Sequence, residues 1–482
     1  MSRRLLGRSL AAVIVVAVGA TTAVAVDGPG ELVGPATATE PAERALPEVT
    51  DVVTVHDSGP LDAETRYRAI NAADAADATW SVVQTVSSAM TQIRRGDQIV
   101  QAAPSSFSFP MSTTFLADDA ISTLMGAQVL DGLSDQTLVM SARTAGLRGA
   151  QSGDIVTLRH VAGGTRDFRI TQIVDDAITG GTELLMLPSA AARLGVARES
   201  RVIMWGFADR DAIMQALTAA GVTASPGVGP GAIFDPPGSP KPIRLRRSWD
   251  PRDPDGTLGM AQTKELLGEF AYRVNGDGSV SIDSAWINAS LPVSEFGFIQ
   301  KRNYATGIRA ACHNGIHEPL AAALAEIAAR GLAGTIDVGD ANLAGGCYNP
   351  RFNRLAPNSN VGFLSRHTWA MAIDTNTRSA CQGCNPPSFA TRSGGCDTVR
   401  IFRKYGFSWG GAYTTPDGMH FEYVGEDRSQ IPYPSRWCAN QPSGGALTAE
   451  FEGDPSLDPS LEWSERSVMF ADAGLIDGHS HD

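Results

Sequence analysis

The pattern of apolar and polar residues divides the chain into two folded regions. In the first region, the stretch "AETRYRAINAADAADATWSVVQTVSSAM" from Ala63 to Met90 predicts a helix. Two later runs, "GDIVTLRHV" and "RDFRITQIV", alternate apolar and polar positions, with Val156 and Leu158 in one and Phe168 and Ile170 in the other. This alternation predicts half-buried strands, so the first region is a β-rich α+β domain.

The second region begins with a predicted hairpin and a predicted core helix. The hairpin is "GEFAYRVNGDGSVSIDSAW", in which two apolar runs flank a glycine-rich turn. The helix is "HEPLAAALAEIAARGLAG", where Pro319 suits a first turn and Leu320, Leu324 and Ile327 share one face. An Arg-Gly pair is its stop signal. The predicted fold class of the whole protein is therefore α+β.

Stretches without apolar periodicity flank and separate these regions. Residues 27–50 and the Pro-rich residues 225–256 have linker compositions, and residues 441–482 form an acidic tail that we expect to be disordered. Two folded domains remain, at 51–224 and 257–440. The length of 482 residues agrees with this division, since one hydrophobic core rarely organises so long a chain.

Residues 1–26 have the pattern of an export signal, with arginines followed by an apolar run. The small residues Ala23 and Ala25 permit cleavage after Ala25. The apolar run is also nearly long enough to stay in a bilayer as an anchor, so cleavage and anchoring both stay open. On either alternative the rest of the chain is extracellular, secreted or held at the cell surface.

Charge argues against a nucleic-acid partner. The formal net charge is −13, and beyond the first few residues the nearest thing to a basic cluster is "RLRR" at 244–247, within the Pro-rich linker. A phosphate backbone is held by clustered Lys and Arg, which this chain lacks. The apolar fraction of 43% is that of a globular protein.

Six cysteines fall in the last third of the chain, an even number that suits an exported domain. Up to three disulfides are expected, in any of about 15 connectivities. The alternative is a structural zinc site that uses the Cys-x-x-Cys pair at 381 and 384 with Cys396. The disulfide candidates are Cys312, Cys347, Cys381, Cys384, Cys396 and Cys438.

Two short stretches, "SRHTWAMAID" and "TTPDGMHFEY", predict a metal site. Zinc in a hydrolase takes three protein ligands from His nitrogens and a carboxylate, and His367, Asp374 and His420 supply that set. Strand alternation in "MHFEYV" puts His420 and Glu422 on one face. His367 has the wrong parity to lie on the same strand face as Asp374, so a turn near residues 368–369 must intervene.

Asp417 lies three residues before His420, between a proline and a glycine. A loop that ends at the strand would hold this carboxylate beside the metal without ligating it. From there it would take a proton from a water molecule and pass it to the leaving amine, which is general acid–base catalysis. Glu422 is the next candidate for that base.

Together the two stretches resemble a known family. "SRHTWAMAID" is similar to a Ser-x-His-x-x-Gly-x-Ala-x-Asp signature, and "GFSWGGAYTTPDGMHFEY" to a Gly-Phe-x-Trp-Gly-Gly and Asp-x-Met-His-Phe-Glu signature. Both belong to the zinc D-alanyl-D-alanine carboxypeptidases, a family that includes L-alanyl-D-glutamate endopeptidases. The resemblance spans about residues 263–438 and implies a small α+β fold with zinc on a central antiparallel sheet.

The resemblance also implies roles for single residues. His367, Asp374 and His420 become the zinc ligands, and Asp417 the general base. An arginine that stabilises the scissile carbonyl as it becomes an oxyanion matches Arg351, with Arg354 second, and a substrate contact matches Ser365. Ala370 stands where the family usually has glycine.

The first domain has a weaker resemblance of its own. Its segment from "LVMSARTAGLRG" through "PSAAARLGV" is similar to extracytoplasmic domains of ABC-type permeases of the lipoprotein-release and macrolide-export kind. The membrane helices of such permeases are absent, and no catalytic cluster stands out. A spacer or interaction domain is expected, and its partner is unknown.

The sequence thus predicts a zinc metallopeptidase whose partners are peptidoglycan stem peptides. D-alanyl-D-alanine carboxypeptidase activity is the leading hypothesis. The alternatives are an L-alanyl-D-glutamate endopeptidase and a non-catalytic wall-binding protein on the same fold. The intact set of ligands, base and arginine favours an enzyme, because a binding module has no need of Asp417.

Overall fold

The structure is a computed structural model that describes most of residues 52–440. The described residues are 52–56, 60–176, 178–222, 231–234, 258–296, 308–336, 347–353, 362–376, 387–412, 417–425, 427–429, 437–438 and 440. All of them belong to one compact unit that runs from Ala45 to Asp482. The predicted signal or anchor, the linker at 27–50 and the acidic tail lie outside the described residues.

The first region is built on ten strands in the described part of the chain. The strands are β1 (Val52–His56), β2 (Thr79–Arg95), β3 (Gln98–Ala102), β4 (Phe109–Phe115), β5 (Thr137–Ser141), β6 (Ile155–Arg159), β7 (Thr165–Val174), β8 (Leu184–Met186), β9 (Arg201–Trp205) and β10 (Gly231–Phe234). The helices are α1 (Ala63–Ala75), α2 (Asp118–Met125), α3 (Ala142–Arg148), α4 (Pro188–Leu194) and α5 (Arg210–Ala219).

The long strand β2 organises this sheet because each of its two edges pairs with two other strands. One edge pairs with β9 and then β6, and the other pairs with β4 and then β3. Strands β2, β4, β8, β5, β7 and β6 follow one another, and β6 pairs back with β2, so these six close a ring. One apolar cluster draws residues from every strand of this ring, including Phe115 and Phe168.

Predictions for this region were partly right. Strands β6 and β7 are confirmed and pair antiparallel. The helix predicted from Ala63 to Met90 is wrong beyond Ala75, because strand β2 begins at Thr79. The second half of that stretch is rich in Val and Thr, whose branched side chains favour strands. The linker predicted at 225–256 is wrong for β10, which pairs with β1.

The second region contains shorter elements in several small sheets. Its helices are α6 (Met260–Leu267), α7 (Ser284–Ser290), α8 (His317–Ala329), α9 (Ser388–Thr391) and α10 (Gly395–Lys404). Its strands are β11 (Tyr272–Val274), β12 (Val280–Ile282), β13 (Val293–Phe296), β14 (Ile308–Ala311), β15 (Ala372–Asp374), β16 (Phe407–Trp409) and β17 (His420–Tyr423). The predicted hairpin (β11–β12) and the predicted helix α8 are confirmed.

A three-stranded antiparallel sheet in the order β15-β17-β16 lies at the centre of the second core. Helix α10 packs beside it, and Phe402 of α10 stacks on Phe421 of β17 with ring centroids 4.1 Å apart. Trp369 and Trp409 are fully buried in the same core. This packing fixes β17, the strand that carries His420. The α+β class with a β-rich first region is confirmed.

Two disulfides tie the second region together. Cys312 bonds to Cys347, and Cys396 bonds to Cys438. The disulfide prediction is confirmed for these four residues. Because Cys396 is used in a disulfide, the alternative zinc site that required it is wrong, while Cys381 and Cys384 lie outside the described residues. Within the described part of the chain, no helix has the length and apolar character to cross a membrane.

A buried group of four charged side chains joins α6 and the residues after it to the first region. We call Arg148, Glu183, Lys264 and Glu269 the junction cluster. The Lys264 ammonium lies 2.8 Å from a Glu183 oxygen and 3.1 Å from a Glu269 oxygen, and it donates to the Pro110 carbonyl. Arg148 pairs with Glu269. Lys264 and Glu183 are fully buried, so the two regions share one polar core.

Candidate metal centre

A tight turn places His367. Residues Arg366–Trp369 form a 3-10 helix, and the Ser365 hydroxyl caps it by accepting a hydrogen bond from the His367 amide at 3.3 Å. Ala370 follows with φ 53°, a left-handed conformation that ends the turn. The predicted turn between His367 and Asp374 is confirmed. The glycine usual at this position in the resembling family would adopt this φ without strain.

Strand pairing brings Asp374 and His420 together. Strands β15 and β17 are antiparallel, and Asp374 lies directly opposite His420 in their register. Directly opposite residues in such a pair have Cβ atoms only about 5 Å apart. Two residues that are 46 positions apart in sequence therefore become neighbours through backbone pairing alone.

The three predicted ligand residues converge. One potential ligand atom from each of His367, Asp374 and His420 lies within 4.8 Å of the other two. The Nε2 atom of His367 is 3.1 Å from one Asp374 oxygen, and the Nδ1 atom of His420 is 3.0 Å from the other. Both histidines are buried, whereas the Asp374 side chain is 21% exposed, so the group opens to solvent on the aspartate side.

The hydrogen bond on the other nitrogen of His367 fixes its tautomer. The Nδ1 atom lies 3.1 Å from the Cys347 carbonyl oxygen. Because a carbonyl only accepts, Nδ1 is a donor here, which leaves Nε2 as the ring atom that can bind a metal. That Nε2 is buried and, in the described part of the chain, is not aligned for a hydrogen bond with any partner. The Cys312–Cys347 disulfide anchors the carbonyl that sets this arrangement.

A buried carboxylate lies behind His420. The Nε2 atom of His420 is 3.4 Å from a Glu422 oxygen, on the side of the ring opposite Asp374. Glu422 is fully buried, and its other oxygen lies 3.9 Å from Arg366. Arg366 also donates to the Thr263 hydroxyl and to a backbone carbonyl at the start of α6. This arrangement orients the His420 ring with Nδ1 toward the group.

Electrostatics favour a cation at this point. Burial by itself raises the pKa of Asp374, but the two histidines outweigh it and hold that pKa well below its usual range. Burial lowers the pKa of His420, yet hydrogen bonds with Asp374 and Glu422 raise it to about 10. Without a metal, His420 therefore holds a proton between two carboxylates. A metal cation would replace that proton.

Asp417 lies at the edge of the group. It is almost completely buried, and its backbone amide donates to the Gly410 carbonyl at 2.8 Å. One carboxylate oxygen accepts from the Met419 amide at 3.3 Å. Its negative charge is close enough to contribute to the raised pKa of His420. Asp417 is not part of the three-residue group itself.

The other predicted site residues are placed less directly. Arg351 is half-buried, and its backbone pairs with the turn that holds His367, since the Ser365 amide donates to the Arg351 carbonyl at 2.9 Å. Ser365 is buried and caps this turn. Its predicted substrate role and the oxyanion role of Arg351 stay predictions. Arg354 lies outside the described residues.

Sequence reasoning missed what holds the group in place. The parity of β17 already placed Glu422 on the His420 face, and that signal was available for its contact with His420. Arg366 and the Cys347 carbonyl carried no comparable signal, because both reach the site through contacts that are distant in sequence.

The residues present fit a zinc ion. Two histidine nitrogens and one carboxylate match the ligand types of hydrolytic zinc sites, which keep one position for water. Nε2 of His367 faces the Asp374 carboxylate at 3.1 Å, and each histidine has a polar contact on its outer nitrogen, as is usual for metal-binding histidines.

One comparison with known proteins bears on this site. Residues 358–423 match the model of a family described as D-alanyl-D-alanine carboxypeptidase. The segment contains His367, Asp374, Asp417 and His420, so the resemblance predicted from the two stretches is confirmed there. The match supports a peptidase that acts on peptidoglycan. Arg351 precedes the matched segment, and no curated protein matches the chain.

Proposed function

We propose that the protein is a zinc metallopeptidase that hydrolyses peptidoglycan stem peptides as a D-alanyl-D-alanine carboxypeptidase. The observation that carries this proposal is the convergence of His367, Asp374 and His420, whose potential ligand atoms lie within 4.8 Å of one another. The family match over residues 358–423 points to the same reaction class.

In this proposal, zinc, Asp417 and Arg351 each have a separate role in catalysis. When bound, zinc supplies a Lewis acid that makes a water molecule easier to deprotonate. Asp417 accepts the proton of the attacking water and passes it to the nitrogen of the leaving amine, so that the C–N bond breaks as a C–O bond forms. Arg351 stabilises the negative charge that develops on the carbonyl oxygen.

Glu422 has a different role in this proposal. It faces Nε2 of His420, on the ring side away from Asp374, whereas the attacking water has to lie on the side where the three ligand residues meet. Asp417 is therefore the better candidate for the base. Glu422 is a positioning residue that holds the His420 ring and increases its basicity toward a metal.

The proposed location is outside the cytoplasm. The disulfides Cys312–Cys347 and Cys396–Cys438 suit an oxidising compartment, where such bonds persist. Peptidoglycan lies in that compartment, so the location and the substrate class support each other.

The test is digestion of purified peptidoglycan by the full chain loaded with zinc, with mass spectrometry of the products. A carboxypeptidase shortens intact stem peptides by one alanine. Release of whole stem peptides would instead show cleavage of the L-alanyl-D-glutamate bond. The matched control is His420→Ala, which lacks one proposed ligand.

A third outcome would overturn the enzymatic proposal. If the zinc-loaded chain binds peptidoglycan in a pull-down but leaves every stem peptide intact, the protein is a wall-binding protein on a peptidase fold. Cleavage that persists unchanged in His420→Ala would instead show that the activity arises elsewhere.

A further inference from the structure

A polar cavity that contains none of the metal-centre residues lies between the first sheet and strand β11. Its volume is about 120 Å³. It is bordered by the ends of β6 and β11 and by the loop that precedes β4. Its lining includes Ser108, Arg159, Tyr272 and Arg273.

Two arginines line this cavity without a carboxylate partner in the described part of the chain. Arg159 donates to the Ser108 hydroxyl at 2.6 Å and to the Phe107 carbonyl at 3.2 Å, both neutral acceptors. Arg273 is exposed and lies over the Phe107 ring at 5.3 Å. In a protein with a net charge of −13, two such guanidinium groups at one cavity form a local positive site.

Tyr272 adds a buried donor. Tyr272 is one of the residues that border the cavity and is only 2% exposed, and its buried hydroxyl has no hydrogen-bond partner among the residues that the structure describes. Burial raises the pKa of Tyr272, against the opposing effect of the Arg159 charge, so the hydroxyl stays protonated. A buried hydroxyl without a partner is costly, and a hydrogen-bond acceptor in the cavity would remove that cost.

We propose that this cavity is a binding site for an oxyanion, a carboxylate or phosphate group held by Arg159, Arg273 and the Tyr272 hydroxyl. Arginine is suited to this because its planar donors match the oxygens of both groups. Arg159 belongs to the first region and Tyr272 to the second, so a bound oxyanion would contact both. The inference does not depend on the proposed peptidase function.

The test measures binding of inorganic phosphate and of acetate to the full chain by calorimetry, with sodium chloride of equal ionic strength as the control for screening. We expect saturable binding of at least one of the two anions, and the stronger of them identifies the phosphate or the carboxylate source. No saturable binding of either anion would overturn the proposal.

Variants locate the binding. Arg159→Gln should weaken the anion about tenfold or more, because a charged donor is lost. Arg166→Gln is the matched control, since Arg166 is an exposed arginine of β7 whose side chain donates to the neighbouring Thr165 carbonyl. Equal binding by Arg159→Gln and the parent would contradict the proposal and would point to another site, such as the metal centre.

Tyr272→Phe tests the role of the tyrosine hydroxyl, because the variant should change thermal stability and anion affinity in opposite directions. Without anion the variant should melt at or above the temperature of the parent, because it removes a buried unpartnered hydroxyl. With anion it should gain less, since its affinity falls by roughly threefold to tenfold. A variant that binds the anion as tightly as the parent would show that Tyr272 takes no part.

Discussion

The protein contains two buried charged groups that differ in one respect. In the junction cluster, two cations face two anions, and the Lys264 ammonium has oxygen neighbours from Glu183, Glu269 and a carbonyl. In the metal centre, the Asp374 carboxylate lies between two histidines, Glu422 contacts His420 from the other side of its ring, and the potential ligand atoms of His367, Asp374 and His420 converge.

The difference separates a structural group from a ligand site. Lys264, Arg148, Glu183 and Glu269 balance one another's charge inside the protein, so no external ion is needed. At the metal centre, Nε2 of His367 and a carboxylate oxygen of Asp374 face each other at 3.1 Å. A cation bound between them would stabilise this arrangement. Buried charge alone therefore does not indicate function; the convergence of three side chains of metal-ligand type does.

The largest expected effect lies in the junction cluster. Lys264→Met keeps the volume but leaves Glu183 and Glu269 with Arg148 as the one cation of the junction cluster, so one negative charge is uncompensated. This should lower the free energy of unfolding by about 3–5 kcal/mol. Chemical denaturation of the full chain measures it. The matched control is Lys404→Met, whose pair with Glu326 lies at the surface and should contribute much less. An equal loss of unfolding free energy in the two variants would show that the junction cluster stabilises the protein no more than a surface ion pair does.

The next effect separates catalysis from metal binding. Asp417→Asn should keep zinc, because the three ligand residues are unchanged, and should lower kcat by about 100-fold or more. Steady-state assays on stem peptides together with metal analysis check both parts. Loss of zinc from Asp417→Asn would make Asp417 a ligand, and full activity would move the base to another group.

A smaller effect concerns the residue behind His420. Glu422→Gln should weaken zinc binding by roughly 10- to 100-fold, since a histidine loses the carboxylate that orients it. Competition with a chelating dye measures the affinity without reference to activity. Glu318→Gln, on the exposed first turn of α8, serves as the control. An unchanged affinity in Glu422→Gln would remove Glu422 from the account of the site.

The smallest effect concerns the turn after His367. Ala370 has φ 53°, so Ala370→Gly should relieve strain and raise the free energy of unfolding by up to about 1 kcal/mol, less the entropy that glycine adds to the unfolded chain. Ala372→Gly in strand β15 is the control and should destabilise, because the strand conformation needs no glycine. A clear loss of stability in Ala370→Gly would mean that the buried methyl group outweighs the strain.

Local patterns predicted elements whose cause is local. The alternation in β6 and β7 and the helical face of α8 each lie within one short stretch, and all three elements are present. Strand β2 was missed because its Val- and Thr-rich stretch follows an alanine-rich helix without a strong break. Strand β10 was missed because its partner β1 lies far away in sequence.

The site divides in the same way. His367, Asp374 and His420 were predicted because their side chains are of the types that zinc binds and because the two short stretches that contain them resemble a family signature. The groups that hold them could not be predicted, since Arg366 contacts Thr263 across 103 residues and Lys264 contacts Glu183 across 81 residues. Such contacts depend on how separate elements pack, which no local spacing records.

Metal analysis of the purified full chain is the most direct test of the central claim. After exposure to zinc and removal of the excess, the parent should hold about one zinc ion per chain at the His367, Asp374 and His420 group, and His420→Ala should hold almost none. A parent without bound zinc, or a His420→Ala variant that retains as much zinc as the parent, would contradict the account.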